Sequence, residues 1–207
     1  MRAVYIAGIA TTRFGKFPAL SVKDLTRAAV SAALADAGCA LADVEAAWFS
    51  NVRQGQMEGQ NSIRGQCALR AMGVQGIPIV NVENACASSS TGVNQAYAAL
   101  AAGLCDVALV VGAEKMFFPD KKKEMFAAFL GGTDVHMVAE THRRLADLGR
   151  GVTPAGVDDP DPAERSFFMD IYGGLTRQYM QRFGTIVCQF VAVVAKNHAN
   201  SAHNPNA

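Results

Sequence analysis

The stretch that most constrains this fold runs Gly76-Ile77-Pro78-Ile79-Val80-Asn81-Val82-Glu83-Asn84-Ala85-Cys86-Ala87-Ser88-Ser89-Ser90-Thr91-Gly92. Ile77 to Val82 is apolar and rich in β-branched residues, the mark of a buried strand. Small residues follow Cys86, and then Val93, Ala96, Tyr97, Leu100, Ala101 and Leu104 recur at helical spacing. The spacing predicts a strand, a tight turn and a helix, with Cys86 at the helix's first turn. Amides at a helix start favour the thiolate form of a nearby cysteine. A thiolate at a strand end among small residues has room for a substrate, which suits a covalent nucleophile. The competing reading of Cys86 is a small buried hydrophobe.

The rest of the chain repeats the alternation. Ala3 to Ala10 is an apolar run of strand length, expected to be buried on both faces. Thr11 to Pro18 reads as a loop. Ser21 and Asp24 have capping-box spacing ahead of Leu25, Ala28, Ala29, Ala32 and Ala33, and Gly38 ends that helix. Ala46 to Val52 is a second strand and contains the single tryptophan, Trp48. A polar Gly/Gln stretch follows, then a helix from about Ser62 to Met72. Asp106 to Gly112 is a further strand, ending at Glu114-Lys115-Met116. Strands alternating with helices imply a layered α/β fold with a mostly parallel sheet. In such sheets functional groups collect at the carboxyl ends of strands, so Cys86 and Glu114-Lys115-Met116 are candidate neighbours.

From Phe117 to about Pro162 the pattern fades. Lys121-Lys122-Lys123, Gly131-Gly132 and Asp158-Asp159-Pro160-Asp161-Pro162 suggest an inserted loop region. Helical spacing resumes near Ser166, and Thr185 opens a last helix carrying Val187, Phe190, Val191, Val194 and Ala195. Three segments result: a core over 1–116, the insertion over 117–168, and helices returning to the core over 169–207.

Composition excludes several classes. The 207 residues are 50% hydrophobic and carry a formal net charge of +1, which gives no case for nucleic acid or an acidic membrane as partner. No apolar run has membrane-span length. The five cysteines, Cys39, Cys67, Cys86, Cys105 and Cys188, are odd in number and lack zinc-like spacing. Reduced thiols and a cytoplasmic setting are expected.

Asn81-Val82-Glu83-Asn84-Ala85-Cys86-Ala87-Ser88-Ser89-Ser90 resembles the nucleophile segment of thiolases, most closely the sterol-carrier-protein-x branch. Four more pieces resemble that branch in the same order: Val4-Tyr5-Ile6-Ala7-Gly8, Gly65-Gln66-Cys67-Ala68, Gly112-Ala113-Glu114-Lys115-Met116, and Tyr179 to Thr185 running on to Ala195-Lys196-Asn197-His198. The resemblance spans nearly the whole chain, yet corresponds to the N-terminal half of a thiolase. It implies an α-β-α layered fold with a mixed, mostly parallel five-stranded sheet. It also implies that Cys86 carries an acyl group between coenzyme A thioesters, with coenzyme A as substrate and no covalently bound cofactor or metal. The family's activating His and second Cys belong to the other half, and no Gly-His-Pro or Cys-x-Gly occurs here. The expectation is that this chain alone has little thiolase activity.

The resemblance further implies a homodimer paired through strand 77–82, and it allows a zinc-ribbon/OB-fold partner that channels substrate. Gln60 and Arg64 resemble a segment that reaches toward the dimer partner; an amphipathic helix face is the simpler reading. Lys121, Lys122 and Lys123 have the charge to meet phosphates, or form a solvated run. Met169 and Tyr172 are candidates for an acyl tunnel or an ordinary helix face. His136, His142, His198 and His203 have no metal spacing. Two other functions stay open: a steroid side-chain CoA aldolase of this fold, against which the presence of Cys86 speaks, and a non-catalytic subunit.

Overall fold

The computed structural model describes residues 2–152 and 167–207. It forms two compact units, one from residues 1–132 and one from residues 133–205.

The first unit is built on a parallel sheet of three strands: β1 (Ala46–Ser50), β2 (Ile79–Val82) and β3 (Ala108–Gly112), in the order β2-β1-β3. Trp48 lies opposite Val80 on one side and Val110 on the other. All five residues of β1 are buried, because a central strand in a layered fold is covered on both faces. Alternation then divides its side chains. Ala47 and Phe49 join Val22, Val30, Ala68, Leu69, Leu109 and Val111 beneath two helices, α1 (Val22–Ala37) and α3 (Arg64–Arg70). Ala46 and Trp48 join Val82 and Ala96 beneath α4 (Ser88–Ala101) on the opposite face. This is the expected α-β-α layering.

Two glycines allow the helices to come this close. A Cβ at Gly65 would stand 2.5 Å from Phe49 Cβ, and one at Gly92 would stand 3.2 Å from Ser50 Oγ. The first distance excludes a side chain and the second leaves room only if Ser50 moves by a few tenths of an ångström, so both helices pack closely onto the sheet through these glycines.

Helix α1 starts as its sequence predicts. Ser21 Oγ accepts from Asp24 N, and the Asp24 carboxylate accepts from Ser21 N at 2.9 Å and from Ser21 Oγ at 2.6 Å. Gly38 ends the helix in the left-handed conformation, at φ 65°. The Ser21 hydroxyl and amide hold the Asp24 carboxyl below its usual range. A carboxylate with a depressed folded pKa contributes stability above its unfolded value, near pH 4, and loses it as pH falls through the folded value. The thermal midpoint is therefore expected to fall between pH 5 and pH 2 by more in the parent protein than in Asp24→Asn. Equal acid slopes would refute this.

The structure departs from the sequence expectations in three places. The run Ala3–Ala10 forms no strand, and Tyr5, Ile6 and Ile9 are exposed. The run lies across a cleft from β3, whose outer edge stays unpaired among the described residues. The run is held by α1 instead: Ile9 N donates to Asp36 Oδ2, and Gly8 lies where a Cβ would meet Ala33 O at 2.5 Å. The sheet accordingly has three strands among the described residues, where five were expected. Second, the polar stretch after β1 contains a short helix, α2 (Gln54–Glu58). Third, the supposedly irregular region contains two nine-residue helices, α5 (Lys122–Leu130) and α6 (Val138–Ala146). Lysines in a first turn oppose the helix dipole, so Lys122 and Lys123 obscure the start of α5, where Glu124 is the one acidic residue of the first turn. The Asp158–Pro162 segment lies outside the described residues.

In the second unit α6 packs on α7 (Phe167–Phe183). Gly174 allows that approach, since a Cβ there would stand 3.2 Å from Leu148 Cβ. Tyr179 then meets Phe183 and Phe190, the latter on α8 (Val187–Ser201), at ring-centroid distances of 4.6 and 6.3 Å. No described helix is long and apolar enough to cross a membrane.

Candidate functional site

The carboxyl ends of the three strands carry the candidate site. β2 ends at Val82, α4 begins at Ser88, and Cys86 lies on the turn between them, exposed. It precedes the first helical residue by two positions, where the sequence predicted it inside the first turn. The reason is local bonding. The amides of Ala87 and Ser88 bond back to the carbonyls of Asn84 (2.9 Å) and Ala85 (3.2 Å), closing a turn ahead of the helix.

Side chains lock that turn from within. Ser88, 5% exposed, accepts from Asn84 N at 2.8 Å through Oγ and donates to Ala85 O at 2.8 Å. Thr91 Oγ1 accepts from Asn84 Nδ2 at 2.9 Å and donates to Ala87 O at 2.9 Å. Glu83 Oε1 accepts from Ala85 N. Ala85, next to the cysteine, has φ 45°, a left-handed conformation that costs a non-glycine residue about 1–2 kcal/mol. The closed set of bonds offsets that strain, and the sharp turn presents Cys86 outward.

The end of β3 meets the same region. A Cβ at Gly112 would stand 2.4 Å from Ser89 Oγ, so this glycine lets α4's first turn sit against the strand end. Ser50 Oγ, buried at the end of β1, has no hydrogen-bond partner among the described residues.

The Glu114 carboxylate bonds to the segment that follows β1. It accepts from Asn51 Nδ2 at 3.0 Å, Val52 N at 2.8 Å and Arg53 N at 3.1 Å. Lys115 Nζ donates to the carbonyls of Pro18 and Leu20 and lies 4.5 Å from the Phe118 ring centroid. Arg64 Nη1 donates to Asn51 O and Oδ1, at 2.7 and 3.0 Å. Gln60 Nε2 donates to Ser62 O. Lys121 Nζ donates to Met57 O at 2.8 Å, while Lys122 and Lys123 are exposed. His136, His198, His203, Met169 and Tyr172 are exposed, and His142 is half-buried. Among the described residues no three His, Cys, Asp or Glu side chains gather as a metal site requires.

The other cysteines differ from Cys86. Cys105 is buried in the α4-side core, and desolvation, followed by nearby Glu45 and Asp106, pushes its thiol pKa up. Cys39 and Cys67 are half-buried. Cys188 is exposed on α8. Two clefts run along β3, one lined by Gly8 to Ala10, Ala29, Ala33 and Leu109 to Gly112, the other by Ala10 to Thr12, Leu25 and Gly112 to Glu114. Cys86 lines neither.

Sequence reasoning missed Asn51, whose amide joins several of these elements. The available signal was its position, directly after an apolar strand and therefore at a carboxyl end.

The family profile for the thiolase N-terminal domain matches residues 4–145. The chain is 30% identical over 205 residues to a non-specific lipid-transfer protein-like 2 of Caenorhabditis elegans, covering 98% of this chain and 45% of that protein. It is 28% identical over 207 residues to an acetyl-CoA acetyltransferase of Methanothermobacter thermautotrophicus, covering 100% of this chain and 47% of the relative. It is 29% identical over 206 residues to sterol carrier protein 2 of Gallus gallus, covering 99% and 34%. The chain thus spans about half the length of these relatives or less.

Proposed function

The chain belongs to the thiolase family, and from that premise we propose that Cys86 is the nucleophile of an acyltransferase acting on coenzyme A thioesters. The observation that carries the reading is the Cys86 turn: an exposed thiol on a sharp strand-to-helix bend, with a strained Ala85 before it and a closed hydrogen-bond set behind it. The similarity to acetyl-CoA acetyltransferases supports the same chemistry.

In the proposed reaction Cys86 Sγ, as thiolate, attacks the thioester carbonyl. A C–S bond forms, the carbonyl becomes a tetrahedral oxyanion, and its collapse expels coenzyme A as a thiolate that takes up a proton. The acyl-cysteine then passes its acyl group to a second coenzyme A thiol or to the carbanion of acetyl-CoA. Exchange between two thioesters is nearly balanced in bond energy, so a cysteine suits both directions. The oxyanion needs fixed donors, and the turn's backbone amides are the nearest source on this chain. In the proposed reaction the activating base and second acid come from outside this chain.

The test is acyl capture. The complete polypeptide, incubated with acetyl-CoA and quenched in acid, is expected to carry one acetyl group on the peptide containing Cys86. Acetylation spread evenly over the exposed Cys86 and Cys188 would overturn the assignment.

β2 lies at an edge of the sheet, with Val80 41% exposed. An uncovered edge strand invites pairing. The proposed partner is a second copy of the chain, so sedimentation of the complete polypeptide should give a dimer; a monomer at micromolar concentration rules this out.

A further inference from the structure

We infer that Asn51 is the positioning residue of the Cys86 site, holding the carboxyl end of β2 in place against those of β1 and β3. The inference rests on the reading of Cys86 as nucleophile.

Asn51 directly follows β1 and is 4% exposed. Its backbone N–H donates to Val82 O, the last residue of β2, at 3.4 Å. Its Nδ2 donates to Ala113 O at 2.7 Å, just past β3, and to Glu114 Oε1 at 3.0 Å. Its Oδ1 accepts from Gln54 N at 3.1 Å, at the start of α2, and from Arg64 Nη1 at 3.0 Å, at the start of α3. The side-chain amide therefore uses both donors and both lone pairs. The side chain ties the end of β3 to the starts of α2 and α3, and the backbone N–H ties the end of β1 to that of β2.

The partners are themselves held. Glu114 accepts from the amides of Val52 and Arg53, charge-assisted bonds that fix the chain after Asn51. Arg64 follows Ile63, a β-branched residue at φ 50°, where such residues are genuine outliers. The strain is retained where the Arg64 guanidinium grips Asn51.

Three residues separate Val82 from Cys86, and the 83–88 turn is closed by its own bonds. Loss of the side chain frees the residue 51 backbone that holds Val82 and the Ala113 end of β3 that lies beside Gly112 and Ser89, and either shift is carried to the sulfur. Covalent catalysis is sensitive to such shifts: a misplacement of about 1 Å costs on the order of a hundredfold.

The experiment uses the complete polypeptide, with kcat, KM and thermal midpoint measured for each variant. Asn51→Ala is expected to lower kcat by roughly ten- to a hundredfold with KM changed less than about twofold, since orientation and not substrate contact is lost. Asn51→Asp sets a second carboxylate against Glu114 and is expected to be at least as damaging. Adding Glu114→Gln to Asn51→Asp restores a donor–acceptor pair, and is expected to recover kcat at least about threefold. If Asn51→Ala does not fold, the exposed Glu114→Gln single variant carries the test, with a fall in kcat of about threefold at constant KM. A lowered thermal midpoint with kcat per folded molecule unchanged would show a purely structural residue and overturn the inference. Cys86→Ala separates the two claims. If it is inactive while the Asn51 variants keep full kcat, only the positioning role fails; if it stays active, both fail.

Discussion

Cys86→Ala in the complete polypeptide is expected to lower acyl transfer from acetyl-CoA by on the order of a thousandfold or more, and to abolish the captured acetyl-peptide. A nucleophile that forms the covalent intermediate has no substitute, so the loss falls on kcat and not on KM. Cys86→Ser is the sharper variant. It keeps the size and a hydrogen-bonding group, but a hydroxyl is far less ionised than a thiol at neutral pH. The exposed position of Cys86 means that neither change leaves a cavity, and thermal midpoints within about 2 °C of the parent are expected. Activity within tenfold of the parent in Cys86→Ala would remove the covalent mechanism. Cys188→Ala, at the other exposed thiol, should leave turnover unchanged.

The second large effect is on stability. Phe49 is 1% exposed, in the central strand, and packs under α1 and α3 with Ala47, Leu69 and Val111. Phe49→Ala removes that buried ring and leaves a void that the neighbours cannot close. Gly65 already brings the α3 backbone as near to the strand as it can go, because a Cβ there would stand 2.5 Å from Phe49 Cβ. The expected destabilisation is about 3–5 kcal/mol by urea unfolding, a large part of a total of roughly 5–15 kcal/mol. Phe49→Leu keeps most of the volume and should cost less than half as much. A loss below about 1 kcal/mol for Phe49→Ala would mean that the α1/α3 face of the sheet is not the core.

Much of the site could be read from residue order. The strand over Ile79–Val82, the bend at Cys86 and the helix ending at Ala101 all follow from periodicity and small residues at the turn. The capping box at Ser21–Asp24 and the left-handed Gly38 are equally local, and both stand in the structure. The rest was not legible because the interactions that decide it are non-local. The Ala3–Ala10 run has strand composition, but its backbone bonds to Asp36 of α1, far along the chain, and leaves the open edge of β3 unpaired. Glu114 and Cys86 both follow strands, but the orientation of the Glu114 carboxylate depends on the amides of Val52 and Arg53, some sixty residues earlier. Asn51 lies in no recognisable motif, and its role emerges only when partners from residues 54, 64, 82, 113 and 114 converge on it.

Sequence alone determined the layered α/β class, the membership of the thiolase family and the bend that carries Cys86, because these depend on periodicity, small residues and motif order within short windows. Tertiary structure decided which strands share the sheet, where the N-terminal run goes and how Asn51, Arg64 and Glu114 join the strand ends. Those outcomes depend on contacts between residues far apart in the chain, which no local pattern encodes.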